Sequence, residues 1–150
     1  MKSPEKYRHT QIGYLILFSL FAVSLMFGAI LIEAKTNLPP VVYIEMVLIL
    51  LILISFVPLT VTIDGEYLRI KFGYGIYRKR FLLSEIASVK TVKNHWYYGW
   101  GIRIWFWPYM VIYNVSGFDA VEIDLKNGKR FRVGTDEPKK LERAVSQAIK

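Results

Sequence analysis

From Ile12 to Ile32 the chain carries no charged side chain. At about 1.5 Å of helical rise per residue, a run of this length reaches roughly 30 Å, the thickness of a bilayer's hydrocarbon core, and it reads as a transmembrane helix. A second apolar run, Val41 to Leu59, follows a short turn that holds Pro39 and Pro40. Proline cannot continue a helix but can begin one, so this pair fits the first positions of a second span. From Leu59 onward the pattern switches to strict alternation, the mark of half-buried strands. Val61 and Ile63 alternate with Thr62 and Asp64, and after the turn Asp64-Gly65-Glu66 the residues Leu68, Ile70 and Phe72 alternate with Arg69 and Lys71. Gly73-Tyr74-Gly75 then turns the chain into a third strand, Ile76 to Leu83, and Ser84 to Val92 reads as a fourth. An aromatic stretch, Trp96 to Tyr109, precedes strands at Met110 to Val115, Ala120 to Lys126 and Lys129 to Val133.

Two hairpins can be put in register from their own residues. With Gly128 supplying the left-handed position of a three-residue loop, Ile123 falls opposite Phe131 and Val121 opposite Val133. Asp124 then meets Arg130 and Glu122 meets Arg132 on what reads as a solvated outer face. If Phe72 pairs with Tyr77, Lys71 lies opposite Arg78 and Arg69 opposite Arg80. The chain ends in an amphipathic helix, with Thr135 or Asp136 as its cap, Pro138 in its first turn, and an apolar stripe of Leu141, Ala144, Val145, Ala148 and Ile149. The organisation expected is therefore an N-terminal arm over 1–11, a helical hairpin in the membrane over 12–58, and a mainly β domain of about seven antiparallel strands with a C-terminal helix over 59–150. Strand counting alone supports a barrel or a sandwich closed by that helix.

Charge refines this picture. Residues 59–150 hold sixteen basic against nine acidic side chains, so most of the formal net charge of +8 belongs to the β domain. Lys2, Lys6 and Arg8 precede the first span, and Arg69, Lys71, Arg78, Lys79 and Arg80 follow the second, whereas the turn carries Lys35 alone. The positive-inside rule puts both termini in the cytoplasm. The first run exceeds the 7 to 15 residues of a signal-peptide core and lacks a small-x-small cleavage site before the second, which argues against a cleaved leader. Glu45 is the one charge inside either run; it falls one turn into the second helix, where it can reach the interface or a neighbouring helix, and no ionisable partner for a proton path exists in the first run.

Candidate chemistry is sparse. The chain has no cysteine, which removes disulfides, thiolate metal sites and cysteine nucleophiles. His9 and His95 stand without nucleophile or metal-ligand spacing, and Ser84, Glu85 and Ser88 read as ordinary strand residues. No catalytic residue, cofactor, metal or small-molecule substrate is expected, and the protein reads as a non-enzyme. Two surfaces point to lipid instead. Arg69, Lys71, Arg78 and Arg80 crowd one face with no acid nearby in sequence to relieve them, and near anionic lipid each contributes on the order of 1 kcal/mol. Trp96, Tyr97, Tyr98, Trp100, Arg103, Trp105 and Trp107 form an aromatic and basic set of the kind that favours the headgroup level. Tethering already accounts for the same rings and charges, so a nucleic-acid surface is not expected.

The segments Tyr98-Gly99-Trp100-Gly101-Ile102-Arg103, Ala120-Val121-Glu122-Ile123, Asn127-Gly128-Lys129 and Gly134-Thr135-Asp136-Glu137-Pro138 resemble those of small prokaryotic membrane proteins with two transmembrane helices followed by a bacterial pleckstrin-homology (PH)-like domain. The resemblance implies a PH-like barrel, no enzymatic activity, and a capacity for homo-oligomers, since soluble relatives of that fold form rings. Where eukaryotic phosphoinositide-binding PH domains carry a lysine-led basic motif, this chain has Asp64, Gly65 and Glu66, so specific phosphoinositide recognition is not implied. The function expected is a membrane-anchored binding or scaffold module that meets anionic headgroups and a protein partner at the cytoplasmic face. The alternative is an accessory subunit of a larger membrane complex, without specific lipid recognition, whose spans pack laterally through Ser24, Gly28 and Ala29 and whose sheet edge adds to a partner's sheet.

Overall fold

The computed structural model describes residues 5–35 and 37–149. Its elements are β1 (Glu5–Ile12), α1 (Tyr14–Ala34), α2 (Pro40–Ser55), β2 (Pro58–Asp64), β3 (Tyr67–Phe72), β4 (Tyr77–Leu82), β5 (Ile86–Lys93), β6 (Gly101–Phe106), β7 (Tyr109–Asn114), β8 (Asp119–Leu125), β9 (Arg130–Gly134) and α3 (Pro138–Ala148). Single 3-10 turns occupy Leu83–Glu85 and Trp96–Tyr98. The strands make a four-stranded sheet in the order β1-β2-β3-β4 and a five-stranded sheet in the order β5-β8-β9-β7-β6. The result is a mostly-β domain of two sheets with a C-terminal helix, joined to an apolar N-terminal helix. Among the described residues, α1 is the helix long and apolar enough to cross a membrane, with 21 residues and almost its whole surface exposed. The 16 residues of α2 rise about 24 Å, and α2 packs against α1 with Phe27 and Met46 buried.

The segment 1–11, expected to stand apart as an arm, is instead part of the sheet. Glu5–Ile12 runs antiparallel to β2, with Tyr7 opposite Ile63, His9 opposite Val61, Gln11 opposite Leu59 and Ile12 opposite Pro58. The first helix accordingly starts at Tyr14, after Gly13, and not at Ile12. The inward positions of this strand are Tyr7, His9 and Gln11, which show no aliphatic alternation, so the hydrophobic period does not mark it. α1 and α2 are thus inserted between two strands that are neighbours in one sheet.

The strand count and pairing also depart from about seven antiparallel strands. Among the described residues there are nine, the extra two being β1 and β6, and β7 pairs with β9 in parallel. The β8–β9 hairpin folds back so that β9 lies between β8 and β7, which fixes that parallel pair. The expected fourth strand begins with a corner: Leu83 donates its N–H to the Glu66 carbonyl at 2.9 Å, and Leu83 and Ile86 are both buried, so β5 starts only at Ile86. The two hairpin registers are those the sequence dictates, with Ile123 opposite Phe131, Val121 opposite Val133, Lys71 opposite Arg78 and Arg69 opposite Arg80.

The core lies between the sheets. Leu59, Val61, Ile63, Leu68, Ile70 and Phe72 from the first sheet meet Val121, Ile123, Phe131 and Val133 from the second. Along the β4 side, Phe81 stacks on Phe131 with centroids 3.8 Å apart, and Tyr77 lies 5.9 Å from Tyr113. On the opposite side α3 closes the seam, packing on β5, β8, β1 and β2 with Leu141 and Val145 fully buried and Ala144, Ala148 and Ile149 against the cluster. Neither Thr135 nor Asp136 caps this helix. The N-cap position falls on Glu137 because Pro138 takes the first turn, and Thr135 Oγ1 accepts the Glu137 N–H at 3.1 Å.

Because Ile12 and Pro58 are cross-strand partners, replacing positions 13 to 57 by Asn-Gly closes β1 and β2 into an ordinary two-residue hairpin. That chain is expected to fold as a soluble domain with a cooperative thermal transition by near-ultraviolet circular dichroism. The fragment Leu59–Lys150, in which Leu59, Val61 and Ile63 lose the cover of β1, is expected to melt roughly 10 to 20 °C lower.

Candidate functional site

The outer face of the first sheet is built by the period-two alternation of β2 and β3, which turns Leu59, Val61, Ile63, Leu68, Ile70 and Phe72 inward and the residues between them outward. The cross-strand register arranges the outward residues in rows. One row reads Thr10, Thr60, Lys71 and Arg78; the next reads Arg8, Thr62, Arg69 and Arg80. The first row lies two residues from Ile12 and Pro58, where the chain passes into the helices, so it stands about 7 Å from that junction and the second row about 7 Å farther. All four basic residues singled out in the sequence share this face. Arg8 joins them, and the sequence pattern did not place it there because β1 itself was not visible.

The four are not equivalent. Asp64 Oδ2 lies 2.6 Å from Arg69 Nε, so an acid does relieve the pair Arg69 and Arg80, contrary to expectation. The β2–β3 turn brings Asp64 opposite Tyr67, two residues from Arg69, which is why it can reach. The guanidinium carbons of Arg69 and Arg80 each stand 5.4 Å from the Tyr67 ring centre. Such contacts contribute about 0.5–1 kcal/mol at exposed sites. In the other row Arg78 Nε donates to the Gly75 carbonyl at 3.1 Å, which folds its guanidinium back over the β3–β4 turn, and Lys71 sits beside it across the strands. The positive charge nearest the helices is therefore that of Lys71 and Arg78.

The aromatic stretch separates into three places. Tyr98 is buried against Met110 and Ile112, with Trp105 beside it at 4.8 Å and the Arg132 guanidinium carbon 5.6 Å from its ring centre, so it is core and not interface. Tyr97 lies 5.5 Å from Trp105, and Trp96 is exposed next to it. Trp100 packs on Phe118 at 6.2 Å, and its carbonyl accepts the Arg103 Nε–H at 3.1 Å. Phe106, the last residue of β6, and Trp107, in the β6–β7 turn with its cis Trp107-Pro108 peptide, are 80% and 90% exposed. β7 carries these two apart from the helix root, because its far end runs into Val115, whose carbonyl packs on Gly13.

The outer face of the second sheet is only in part the solvated surface expected from its acid and base pairs: Lys90 reaches solvent, while Glu122 and Arg132 are covered. Glu122 is only 2% exposed and is held by Lys90 Nζ at 2.9 Å and Arg132 at 2.7 Å, with Arg130 Nε at 3.5 Å. Asp124 bonds Arg130 at 2.6 Å and accepts the Ser88 hydroxyl at 3.0 Å. Two features remove the solvent: β5 covers β8 on its other side, setting Lys90 opposite Glu122, and the segment from Asn94 to Tyr98 lies over the sheet. Burial opposes ionisation of both carboxyls. For Glu122 the hydrogen bonds from Lys90 and Arg132 and the charges of Arg132 and Arg130 outweigh it, and for Asp124 the hydrogen bonds from Arg130 and Ser88 do the same, so both pKa values fall below the ordinary range.

The two histidines are engaged structurally. His9 pairs with Asp136 and lies 3.4 Å from Glu137, tying β1 to the start of α3, while His95 stacks flat on Tyr97 at 4.9 Å. A cavity of about 280 Å³ lies beside that tie, lined by Thr10, Gln11, Ser116, Asp119 and Asp136. Among the described residues no group of three His, Asp or Glu side chains is placed to hold a metal ion. No protein-family model, curated protein or solved structure matches the chain.

Glu122→Ala is expected to destabilise the domain by about 3–5 kcal/mol, since it leaves the covered Arg132 guanidinium without its carboxylate. The pH dependence follows the lowered carboxyl values: their stabilisation is complete above the ordinary carboxylate range and is lost as pH falls through the depressed folded-state values. Thermal midpoints measured from pH 7 to pH 2 are expected to drop at the acid end, and to drop less steeply in Glu122→Ala.

Proposed function

We propose that this chain is a two-span protein of the cytoplasmic membrane with both termini on the cytoplasmic side, and that its PH-like domain is a non-enzymatic binding module for anionic lipid headgroups and a protein partner. The observation that carries this reading is the insertion of α1 and α2 between the paired strands β1 and β2, joined by Gly13 alone on one side and by Phe56 and Val57 on the other. A domain tethered so closely meets the bilayer surface without paying for a search, and contacts too weak to hold a free protein suffice. Lys71 and Arg78 stand about 7 Å from the junction, within the 5–8 Å of headgroup on each side of a bilayer plus the length of their own side chains. They supply the lipid contact, and Arg69 and Arg80, farther out and partly neutralised by Asp64, contribute less.

The subunit reading is favoured by a different observation. Among the described residues β6 pairs only with β7, and Ile104, Phe106, Trp107 and Tyr109 are all more than half exposed along and beyond that free edge. An apolar edge strand is the surface to which a partner's strand adds.

Full-length protein reconstituted with spin-labelled phosphatidylglycerol or phosphatidylcholine separates these roles. The anionic label is expected to be enriched in the motionally restricted shell roughly tenfold over the neutral one at low salt, from two basic residues at on the order of 1 kcal/mol each, less screening. Lys71→Ala with Arg78→Ala is expected to abolish the enrichment, and Arg69→Ala with Arg80→Ala to reduce it only slightly. Equal shells for both lipids would remove lipid recognition and leave the subunit reading, for which Phe106→Ser should release a stoichiometric partner in mild detergent.

A further inference from the structure

The β3–β4 turn, Gly73 to Ile76, lies against the membrane-proximal end of α2. Gly73 donates its N–H to the Pro58 carbonyl at 2.8 Å, and a Cβ at Gly73 would stand 2.2 Å from the Ser55 carbonyl oxygen. With φ of +52° as well, this position requires glycine, and the close approach fixes the turn beside the last helical residue. The two side chains at its tip, Tyr74 and Ile76, are 77% and 73% exposed. A tyrosine and an isoleucine held out from a soluble domain gain nothing from water. Here they stand level with the point at which an apolar helix ends.

The dimensions place that level. α1 has 21 residues and rises about 32 Å, so a hydrocarbon core of about 30 Å ends near Tyr14 and, beside it, near Ser55. The tip is therefore at the boundary between acyl chains and headgroups, where amphipathic rings partition, and its apolar surface continues the exposed surface of α2 formed by Leu51, Ile52 and Ile54. The Arg78 guanidinium, folded over Gly75, lies directly behind it on the headgroup side.

We propose that the β3–β4 turn is a third membrane contact, in which Tyr74 and Ile76 insert into the phospholipid interface beside α2 and fix the tilt of the β domain on the bilayer. This inference rests on the reading of α1 and α2 as membrane spans. The wedge adds what the spans cannot supply. Backbone contacts at Gly13, Val57 and Gly73 already join the domain to its helices, so a bilayer contact at the turn, off the line between Gly13 and Val57, sets the tilt of the whole molecule in the membrane.

The absence of cysteine makes the test direct, since any introduced thiol is unique. Tyr74→Cys, Ile76→Cys, Leu25→Cys in the middle of α1 and Asn127→Cys on the β8–β9 turn are each spin-labelled in the full chain. They are reconstituted in vesicles of phosphatidylcholine and phosphatidylglycerol, and collision with oxygen and with a water-soluble nickel chelate is measured by power saturation. The expected result is strong protection of 25 from nickel, nickel accessibility at 74 and 76 several-fold below that at 127, and raised oxygen accessibility at the same two sites. Labels at 74 and 76 as open to nickel as 127, with 25 protected, would overturn the wedge and leave the spans standing. A label at 25 that is itself open to nickel would overturn the spans and the wedge with them. As a second measurement, Ile76→Asp in a chain labelled at 74 is expected to raise nickel accessibility at 74, and an unchanged value would count against insertion.

Discussion

Ile12 and Pro58 face each other across β1 and β2, and everything between them in the chain is helix or the joints to helix. This one pairing decides how the two halves of the molecule relate. The Gly13 N–H donates to the Val57 carbonyl at 2.7 Å, so the sheet's hydrogen bonding runs past the last paired residues and into the joint itself. A Cβ at Gly13 would lie 2.8 Å from the Val115 carbonyl oxygen, which brings the β7–β8 loop of the second sheet against the same point. Three separate stretches of chain thus meet where α1 begins. A flexible linker would let the domain turn independently of its helices; a joint made of backbone contacts transmits orientation, and the turn at Gly73 packs on the other helix in the same manner.

The domain disposes of its positive charge in two ways. On the second sheet Lys90, Arg130 and Arg132 converge on Glu122 and Asp124, so that two carboxylates offset most of the charge of three cations, with Glu122 and Arg132 covered and Lys90 reaching solvent. Desolvation of Glu122 consumes much of the Coulomb gain in such a cluster, which ties β5, β8 and β9 together through one carboxylate. On the first sheet the cations stay at the surface. Asp64 and the Tyr67 ring occupy Arg69 and Arg80, and Lys71 and Arg78 face one another with only Thr60 and Thr10 in their row. A single sheet register thereby sets Lys71 and Arg78 at the end of the first sheet nearest the helices.

Local pairing was legible in the sequence wherever alternation and turn chemistry agreed. Gly128 fixed the β8–β9 register, Phe72 and Tyr77 fixed that of β3–β4, and the i, i+3, i+4 stripe placed Leu141 and Val145 on α3. Legibility failed where position in the fold overrode pattern. β1 turns Tyr7, His9 and Gln11 toward the core, where His9 meets Asp136 and Gln11 Nε2 donates to the Ser116 carbonyl, both far off in sequence. β6 was hidden in an aromatic run that served two purposes at once, with Tyr98 and Trp105 packing and Phe106 and Trp107 exposed. The burial of Glu122 could not be read from its own hairpin, because the cover comes from β5 and from the segment after it. Of the surfaces marked for lipid, the basic face survived as a face, but its division into a row near the helices and a row neutralised by Asp64 depended on the placement of β1 and β2.

The edges of the two sheets carry this reasoning one step further. A free strand edge invites pairing with another chain, and three of the four here are guarded. β5 is covered by α3, and Glu142 accepts the Thr91 N–H at 3.1 Å. β1 has α3 and the tie from His9 to Asp136 beside it. β4 carries Arg78, Lys79 and Arg80 in succession, an edge that repels a copy of itself. β6 has Arg103 as its one charge, and Ile104 and Phe106 stand exposed on alternate positions. The β6 edge is thus the apolar and least guarded of the four among the described residues. The joint at Gly13 lies at one end of β7 and the β6–β7 turn at the other, so the β6 edge runs outward from the joint, with Gly101 near it and Phe106 and Trp107 at the far end. The exposed rings of Phe106 and Trp107 and the basic row of Lys71 and Arg78 therefore stand at opposite ends of the domain, on different sheets.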